Sequence, residues 1–233
     1  MSITKQNIFF DLDGTLLPMN EDEFLKAYLT SLSKYAYTNH GIDPKTLQET
    51  IWQGVKLMYQ NDGNKTNEEV LWDNFHQRFN NFNIKEIATS FNHYYETDFK
   101  STINACSANP YLLPWIDKLK EEGKKLYLLT NPLFPEVAVI ERMAFVGLKE
   151  EMFEHITTYE NSHYTKPNPK YYLEVINRFN LKTNDILMVG NNVDEDIIPT
   201  KNMGLDTILI TDHIIGDISL SDKKMSFKEL TSF

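Results

Sequence analysis

Cysteine is almost missing from this 233-residue chain, Cys106 being the only one. That rules out a disulfide framework and a cysteine-rich metal site. Positive charge is also scarce, with 23 Lys and Arg against 33 Asp and Glu and a formal net charge of −10. Phosphate backbones and anionic membrane surfaces reward Lys and Arg, so this balance argues against a general nucleic-acid or membrane-surface binder. A small anionic substrate is compatible with it, because a metal ion can supply positive charge locally. No apolar run approaches the length of a membrane span. The opening MSITKQN lacks the basic and apolar regions of a secretory signal, so a cytoplasmic location is expected. The six histidines, His40, His76, His93, His155, His163 and His213, show no metal-ligand spacing. No internal repeat and no low-complexity linker divides the chain.

What is there begins with IFFDLDGTLLP, residues 8 to 18. An apolar run, Ile8-Phe9-Phe10, drives into Asp11-Leu12-Asp13-Gly14-Thr15. Two carboxylates one residue apart repel each other unless a cation or a shared proton relieves them. A strand ending in an Asx-type turn at Gly14 would need no chemistry. A site that uses two acids would need this arrangement.

From about Tyr111 the chain alternates helix and strand with clear punctuation. Pro114 can open a helix that runs to Gly123, before a strand at 125 to 130. Pro135 opens a helix that Gly147 ends, and a short strand follows at 155 to 158. Pro169 starts a third helix ending near Asn180, before the strand ILMVG at 186 to 190. A helix from about Asp194 to Gly204 leads to DTILI, 206 to 210. Proline at helix starts and glycine or asparagine at helix ends, between apolar runs, marks successive βα units. This pattern predicts an α/β fold, a doubly wound, mostly parallel sheet with helices on both faces.

Residues 18 to 105 read differently. They hold about half of the aromatic residues, placed at helical spacing, as in Phe24, Tyr28, Leu32 and Tyr35, or Trp72, Phe75 and Phe79. Turn signals at Gly41-Ile42-Asp43-Pro44 and Asn61-Asp62-Gly63 split them into several helices. The reading is a core of residues 1–17 and 106–233 interrupted by a helical insertion, 18–105. Lys65 in the insertion is either a substrate contact or a neighbour of a Thr66–Glu69 capping box. The aromatic stripe reads as insertion core, and Phe134 either covers a site or packs.

In such a sheet, ligands bind beyond the carboxyl ends of the strands. The residues leaving the predicted strands are Asp11 and Asp13, then Thr130 and Asn131, then Asn191, Asn192, Asp194, Glu195 and Asp196, with Lys166 just before the third helix. With these four groups the chain resembles a haloacid-dehalogenase-superfamily phosphatase bearing a helical cap after its first motif. The resemblance covers residues 5 to 17 and 106 to 215. Asp11-Leu12-Asp13-Gly14-Thr15 is its strongest element. GNNVDED, 190 to 196, departs from the usual pattern, with Asn191 where a metal-binding Asp normally stands. The family's strand order, 3-2-1-4-5, would place Asp11 centrally in a Rossmann-like sheet.

The resemblance implies a Mg²⁺-dependent phosphatase for a small phosphorylated metabolite, acting as a monomer or weak homo-oligomer. Asp11 would attack phosphorus, and Asp13 would protonate the leaving oxygen and then activate water. Mg²⁺ would lie between Asp11, the Asp13 carbonyl and a side chain of the fourth motif, Asn191 or else Asp196 or Asp194. Thr130, a backbone amide near Asn131, and Lys166 would hold the phosphoryl oxygens. Asp13 disfavours carbon–halogen hydrolysis, because the dehalogenase branch lacks that acid. Nothing indicates the held acceptor of a phosphomutase. A catalytically weak phosphate or metabolite binder is the alternative, motivated by the two amides of the fourth motif.

Overall fold

The computed structural model describes residues 3–232. The first strand, β1 (Asn7–Phe10), is buried along its whole length. Four helices follow: α1 (Glu21–His40), α2 (Pro44–Tyr59), α3 (Asn67–Arg78) and α4 (Ile84–Glu96), then a 3₁₀ run, Asp98–Ala105. The rest alternates: α5 (Leu112–Glu121), β2 (Lys125–Leu128), α6 (Glu136–Ala144), β3 (His155–Ile156), α7 (Pro169–Arg178), β4 (Ile186–Gly190), α8 (Ile198–Asn202), β5 (Asp206–Ile210), β6 (Lys224–Met225) and α9 (Phe227–Thr231).

The six strands form one sheet in the order β3-β2-β1-β4-β5-β6, and every pairing is parallel. The expected order 3-2-1-4-5 holds and is extended by β6. Phe9 stands between Tyr127 on one side and Met188 on the other. Side chains alternate across the sheet. Phe9, Tyr127 and Met188 pack with Tyr172, Val175 and Ile176 of α7. Ile8, Phe10, Leu128 and Val189 face the other way, toward Trp115, Ile116, Val139 and Met143. Each such side chain, fully buried, contributes roughly 1.5–3 kcal/mol.

The insertion shares that second cluster. Phe24, Tyr28, Phe91, Tyr94, Tyr95 and Phe99 are buried in it, so the aromatic stripe is packing material. The chain enters and leaves the insertion side by side, with Met19 bridged to Cys106 and the Ser107 amide donating to the Pro18 carbonyl at 2.8 Å. A second tie lies at the start of α3. Asn67 and Glu68 donate their backbone N–H groups to the carbonyls of Ser162 and Tyr159, both at 2.9 Å. The fully buried Asn67 amide also reaches the carbonyls of Pro132 and Tyr164, both at 3.3 Å. Thr66 and Glu69 form the capping box. Lys65 pairs with Asp73 on the surface, away from the cavity described below.

Several boundaries differ from the sequence reading; β2, expected to reach residue 130, ends at Leu128, and α6, expected to reach Gly147, ends at Ala144. Helix α5 begins at Leu112, with Pro114 in its first turn, where a missing N–H leaves no gap in the ladder. The third strand shrinks to His155–Ile156. The expected helix from Asp194 is a π-helical turn, Val193–Ile197, followed by the short α8. Pro199 cannot donate to the Glu195 carbonyl four residues back, and that carbonyl accepts from the Tyr172 hydroxyl at 2.6 Å instead. Among the described residues no helix is long and apolar enough to cross a membrane.

Candidate active site

Asp11 leaves β1 at the middle of the sheet, its amide donating to the Val189 carbonyl at 3.0 Å. Two side chains hold its carboxylate. The Lys166 ammonium donates to Oδ1 at 2.7 Å, and the Thr15 hydroxyl to Oδ2 at 3.1 Å. Lys166 also donates to Asp196 Oδ1 at 2.6 Å and is 1% exposed. Burial opposes its charge, but Asp11 and Asp196 together keep the ammonium well above the ordinary lysine range. Lys166 therefore stands behind Asp11 and does not line the cavity in front of it. The contacts of Lys166 are with the two carboxylates of Asp11 and Asp196.

The fourth loop is shaped by close approach. Thr15 donates to Asn191 Oδ1 at 3.0 Å, which brings that amide oxygen beside the Asp11 carboxylate. Asn191 Nδ2 donates to the His213 carbonyl at 2.7 Å. Gly14 has φ +75, and a Cβ there would lie 2.2 Å from Asn191 Nδ2. A Cβ on Gly190 would lie 2.3 Å from Asp196 Oδ2. Only glycine lets both loops close this tightly. Asp196 Oδ2 accepts from the Asn192 amide at 3.1 Å, so both its oxygens are engaged. Asp194 is exposed and absent from the cavity wall.

The cavity has a volume of about 210 Å³ and is lined by Asp11, Asp13, Thr130, Asn131, Asn191 and Asp196 from the expected set. Thr130 is buried, its carbonyl fixed by the hydroxyls of Thr157 and Tyr171, both at 2.8 Å. Asn131 Nδ2 is directed at Glu195 and the Tyr59 hydroxyl, while its Oδ1 is buried without a partner. Phe134 both lines the cavity and packs on Phe24 and Tyr28.

Among the polar lining residues, Glu21, Tyr59 and Arg142 were not singled out from the sequence, and Glu195 was named there only as a residue leaving a strand. Glu21 has its carboxyl pushed up to about 7 by burial and by the charges of Asp13, Asp11, Glu195 and Asp196. Arg142 pairs with Asp13 Oδ2. A signal for it existed, since Ala138, Val139, Arg142 and Met143 form the buried stripe of α6 and one of them is charged. Burial raises the Asp13 carboxyl above the ordinary aspartate range; Arg142 pulls against this and Asp11 adds to it.

Among the described residues no group of three His, Cys, Asp or Glu side chains is arranged to hold a metal. The donors that do converge are all hard oxygens, the Asp11 carboxylate and the Asn191 amide oxygen, both tied to Thr15, with the turn of Asp13 between them in sequence. That donor chemistry fits Mg²⁺. Five acids line the cavity, against Arg142 in the wall and Lys166 behind it, and this imbalance also suits a cation.

The haloacid dehalogenase-like hydrolase family matches residues 5–204. A glyceraldehyde 3-phosphate phosphatase of Pyrococcus furiosus is 26% identical over 86% of this chain and 78% of its own length. Pyrophosphatase PpaX of Bacillus velezensis is 26% identical over 92% of this chain and 87% of its own. Among solved structures, a HAD phosphatase from Thermococcus onnurineus superposes with a TM-score of 0.62 at 19% identity, covering 97% of this chain and 96% of that one, which speaks for the fold. A family match running from before β1 to the end of α8 takes in all four loops around the cavity, and the chain belongs to the haloacid dehalogenase-like hydrolases.

Proposed function

We propose that this protein is a phosphatase that hydrolyses a small phosphomonoester through an aspartyl-phosphate on Asp11. The observation that carries this reading is the Asp11 carboxylate, held by Lys166 and Thr15 at the wall of a small cavity that Asp13 also lines. Asp11 attacks phosphorus, and the leaving oxygen takes a proton from Asp13; water then cleaves the intermediate with Asp13 as base. Thr130 and backbone amides near Asn131 hold the phosphoryl oxygens. Lys166 holds Asp11 in place, with Asp196 as its second partner. Asp11, the Asp13 carbonyl and Asn191 would hold Mg²⁺, which when bound lowers the repulsion between an anionic nucleophile and an anionic phosphate. Residues 18–105 act as the cap over a core of 1–17 and 106–233. The names of the relatives support a small phosphorylated substrate, as does the cavity volume.

The test is turnover of 4-nitrophenyl phosphate with Mg²⁺ and again with excess EDTA, followed by acid quenching and mass spectrometry. Phosphate on Asp11 and a loss of about 10³-fold or more in Asp11→Asn are expected, since an amide is a poor nucleophile. The amide at Asn191 favours one competing reading, a phosphate or metabolite binder with weak catalysis. Phosphate binding by calorimetry without turnover would establish that reading instead.

A further inference from the structure

Arg142 is among the largest fully buried side chains among the described residues, at 1% exposure. A buried guanidinium survives in a fold only with partners. Here Nε donates to the Ala138 carbonyl one turn back at 3.3 Å, and Nη1 donates to Asp13 Oδ2. The Phe134 ring lies against the guanidinium, its centroid 4.5 Å from Cζ. Nη2 has no hydrogen-bond partner. The cation is thus anchored to its own helix and to an aromatic face, and it spends one donor on one oxygen of Asp13.

Asp13 needs such an anchor. It sits in the turn after β1, where backbone bonds such as Gly14 N–H to the Leu17 carbonyl, 2.8 Å, fix the chain but not the side chain. With Oδ2 held, the rotamer is set; Asp13 lines the cavity, and its Oδ1 is buried with no hydrogen-bond partner. We propose that Arg142 is a positioning residue for proton transfer, holding Asp13 by one oxygen so that the other meets the leaving group. This rests on the phosphatase reading above. As the Asp11–phosphorus bond forms and the phosphorus–leaving-oxygen bond breaks, the proton on Oδ1 passes to the leaving oxygen. As water then bonds to phosphorus and the Asp11 bond breaks, the water proton returns to Oδ1. Misplacing a reacting group by about 1 Å can cost on the order of 10² in rate.

The test compares wild type, Arg142→Met, Arg142→Lys, Asp13→Asn and the double variant Asp13→Asn/Arg142→Met on two substrates. Glycerol 2-phosphate has a leaving group that needs a proton; 4-nitrophenyl phosphate has one that does not. Arg142→Met should lower kcat/KM on glycerol 2-phosphate by about 10²-fold and on 4-nitrophenyl phosphate by no more than about fivefold, since kcat/KM reports the first transfer and not the hydrolysis of the aspartyl-phosphate that both substrates share. In the Asp13→Asn background, adding Arg142→Met should change glycerol 2-phosphate turnover little, because its target is gone. Equal losses on the two substrates, or the same loss with and without the Asp13 carboxylate, overturn the proposal and leave Arg142 a structural ion pair. If Arg142→Met does not fold, Arg142→Lys carries the test, since it keeps a cation but not the planar fork. A smaller split between the substrates supports the proposal, and no split overturns it. Wild-type protein inactive on both substrates would defeat the phosphatase reading itself, which is a different result.

Discussion

The two sides of the cavity are built on different terms. From the sheet side, the strand-end loops and α6, come Asp11, Asp13, Thr130, Arg142, Glu195 and Asp196, nearly all gripped by other groups of the core. From the insertion come Met19, Glu21, Phe24, Leu25 and Tyr59, mostly apolar, with one charge and one hydroxyl. Preorganised polar groups act on developing charge without reorganising, so the sheet side is where chemistry is expected. Apolar side chains exclude water and shape the space, so the insertion side is where selection is expected. The contrast is between groups that are held and groups that fill.

The strongest way to break this contrast is to release the sheet side. Lys166→Met removes the cation shared by Asp11 and Asp196 and leaves two buried carboxylates facing each other. A loss of roughly 3–5 kcal/mol in urea unfolding is expected. A loss under about 1 kcal/mol would mean that the pair is more hydrated than its burial implies.

On the insertion side the counterpart is Asn67→Ala, which cuts the ties to the Pro132 and Tyr164 carbonyls and removes one of the two acceptors of the Asn61 amide, leaving it the Lys65 carbonyl. About 2 kcal/mol should be lost. Hydrogen exchange should rise at residues 159–164 before it rises in β1. Uniform loosening would show that this tie is not local.

A smaller effect sharpens the comparison at the metal donors. Asn191→Asp adds a charge toward Mg²⁺ but replaces the donor that serves the His213 carbonyl with an acceptor. The metal-free protein should lose about 1 kcal/mol in thermal unfolding, while Mg²⁺ binding by calorimetry tightens roughly tenfold. Weaker binding would mean that Asn191 does not face the ion.

The smallest expected effect tests Glu21, the lone charge contributed by the insertion. Its folded value, about 7, lies above the ordinary 4.5 because of burial and of the charges of Asp13, Asp11, Glu195 and Asp196. Between those values the folded chain keeps a proton that the unfolded chain has released. Stability should therefore fall as pH rises from about 4.5 to 7 and then level off. In Glu21→Gln, melted in EDTA, this part of the decline should vanish, and the two proteins should coincide at pH 4. Parallel melting curves across that window would show that Glu21 stands clear of the other acids.

Sequence alone reached further into the core than into the insertion. Proline and glycine punctuation exposes βα units because each helix must start and stop within a few residues of a strand. Hence β1, β2, β4 and β5 were legible, and with them the loops holding Asp11, Thr130 and Asn191. The short β6 and α9 were not, because a two-residue strand carries no period. Arg142 escaped for another reason. Its partner is 129 positions away, and only the fold reveals that the charged member of an apolar stripe meets a carboxylate. Glu21 and Tyr59 were missed because helix-surface residues look alike until the surface they face is known. Lys166 was placed at the site from its position before the third helix, but its grip on Asp11 and Asp196 is seen only in the fold.

The two missing Cβ atoms, at Gly14 and Gly190, bear on how such a site can change over generations. A side chain at 14 would take the space of the Asn191 amide, and one at 190 the space of the Asp196 carboxylate. Gly14 and Asn191 therefore tie the first loop to the fourth, so that a change at one is tolerated only with a matching change at the other, while Gly190 and Asp196 constrain the fourth loop within itself. A library that randomises one loop alone would return mostly dead clones. Leu25 and Tyr59 face the same cavity from helices without that constraint, and new substrate preferences can accumulate there one substitution at a time.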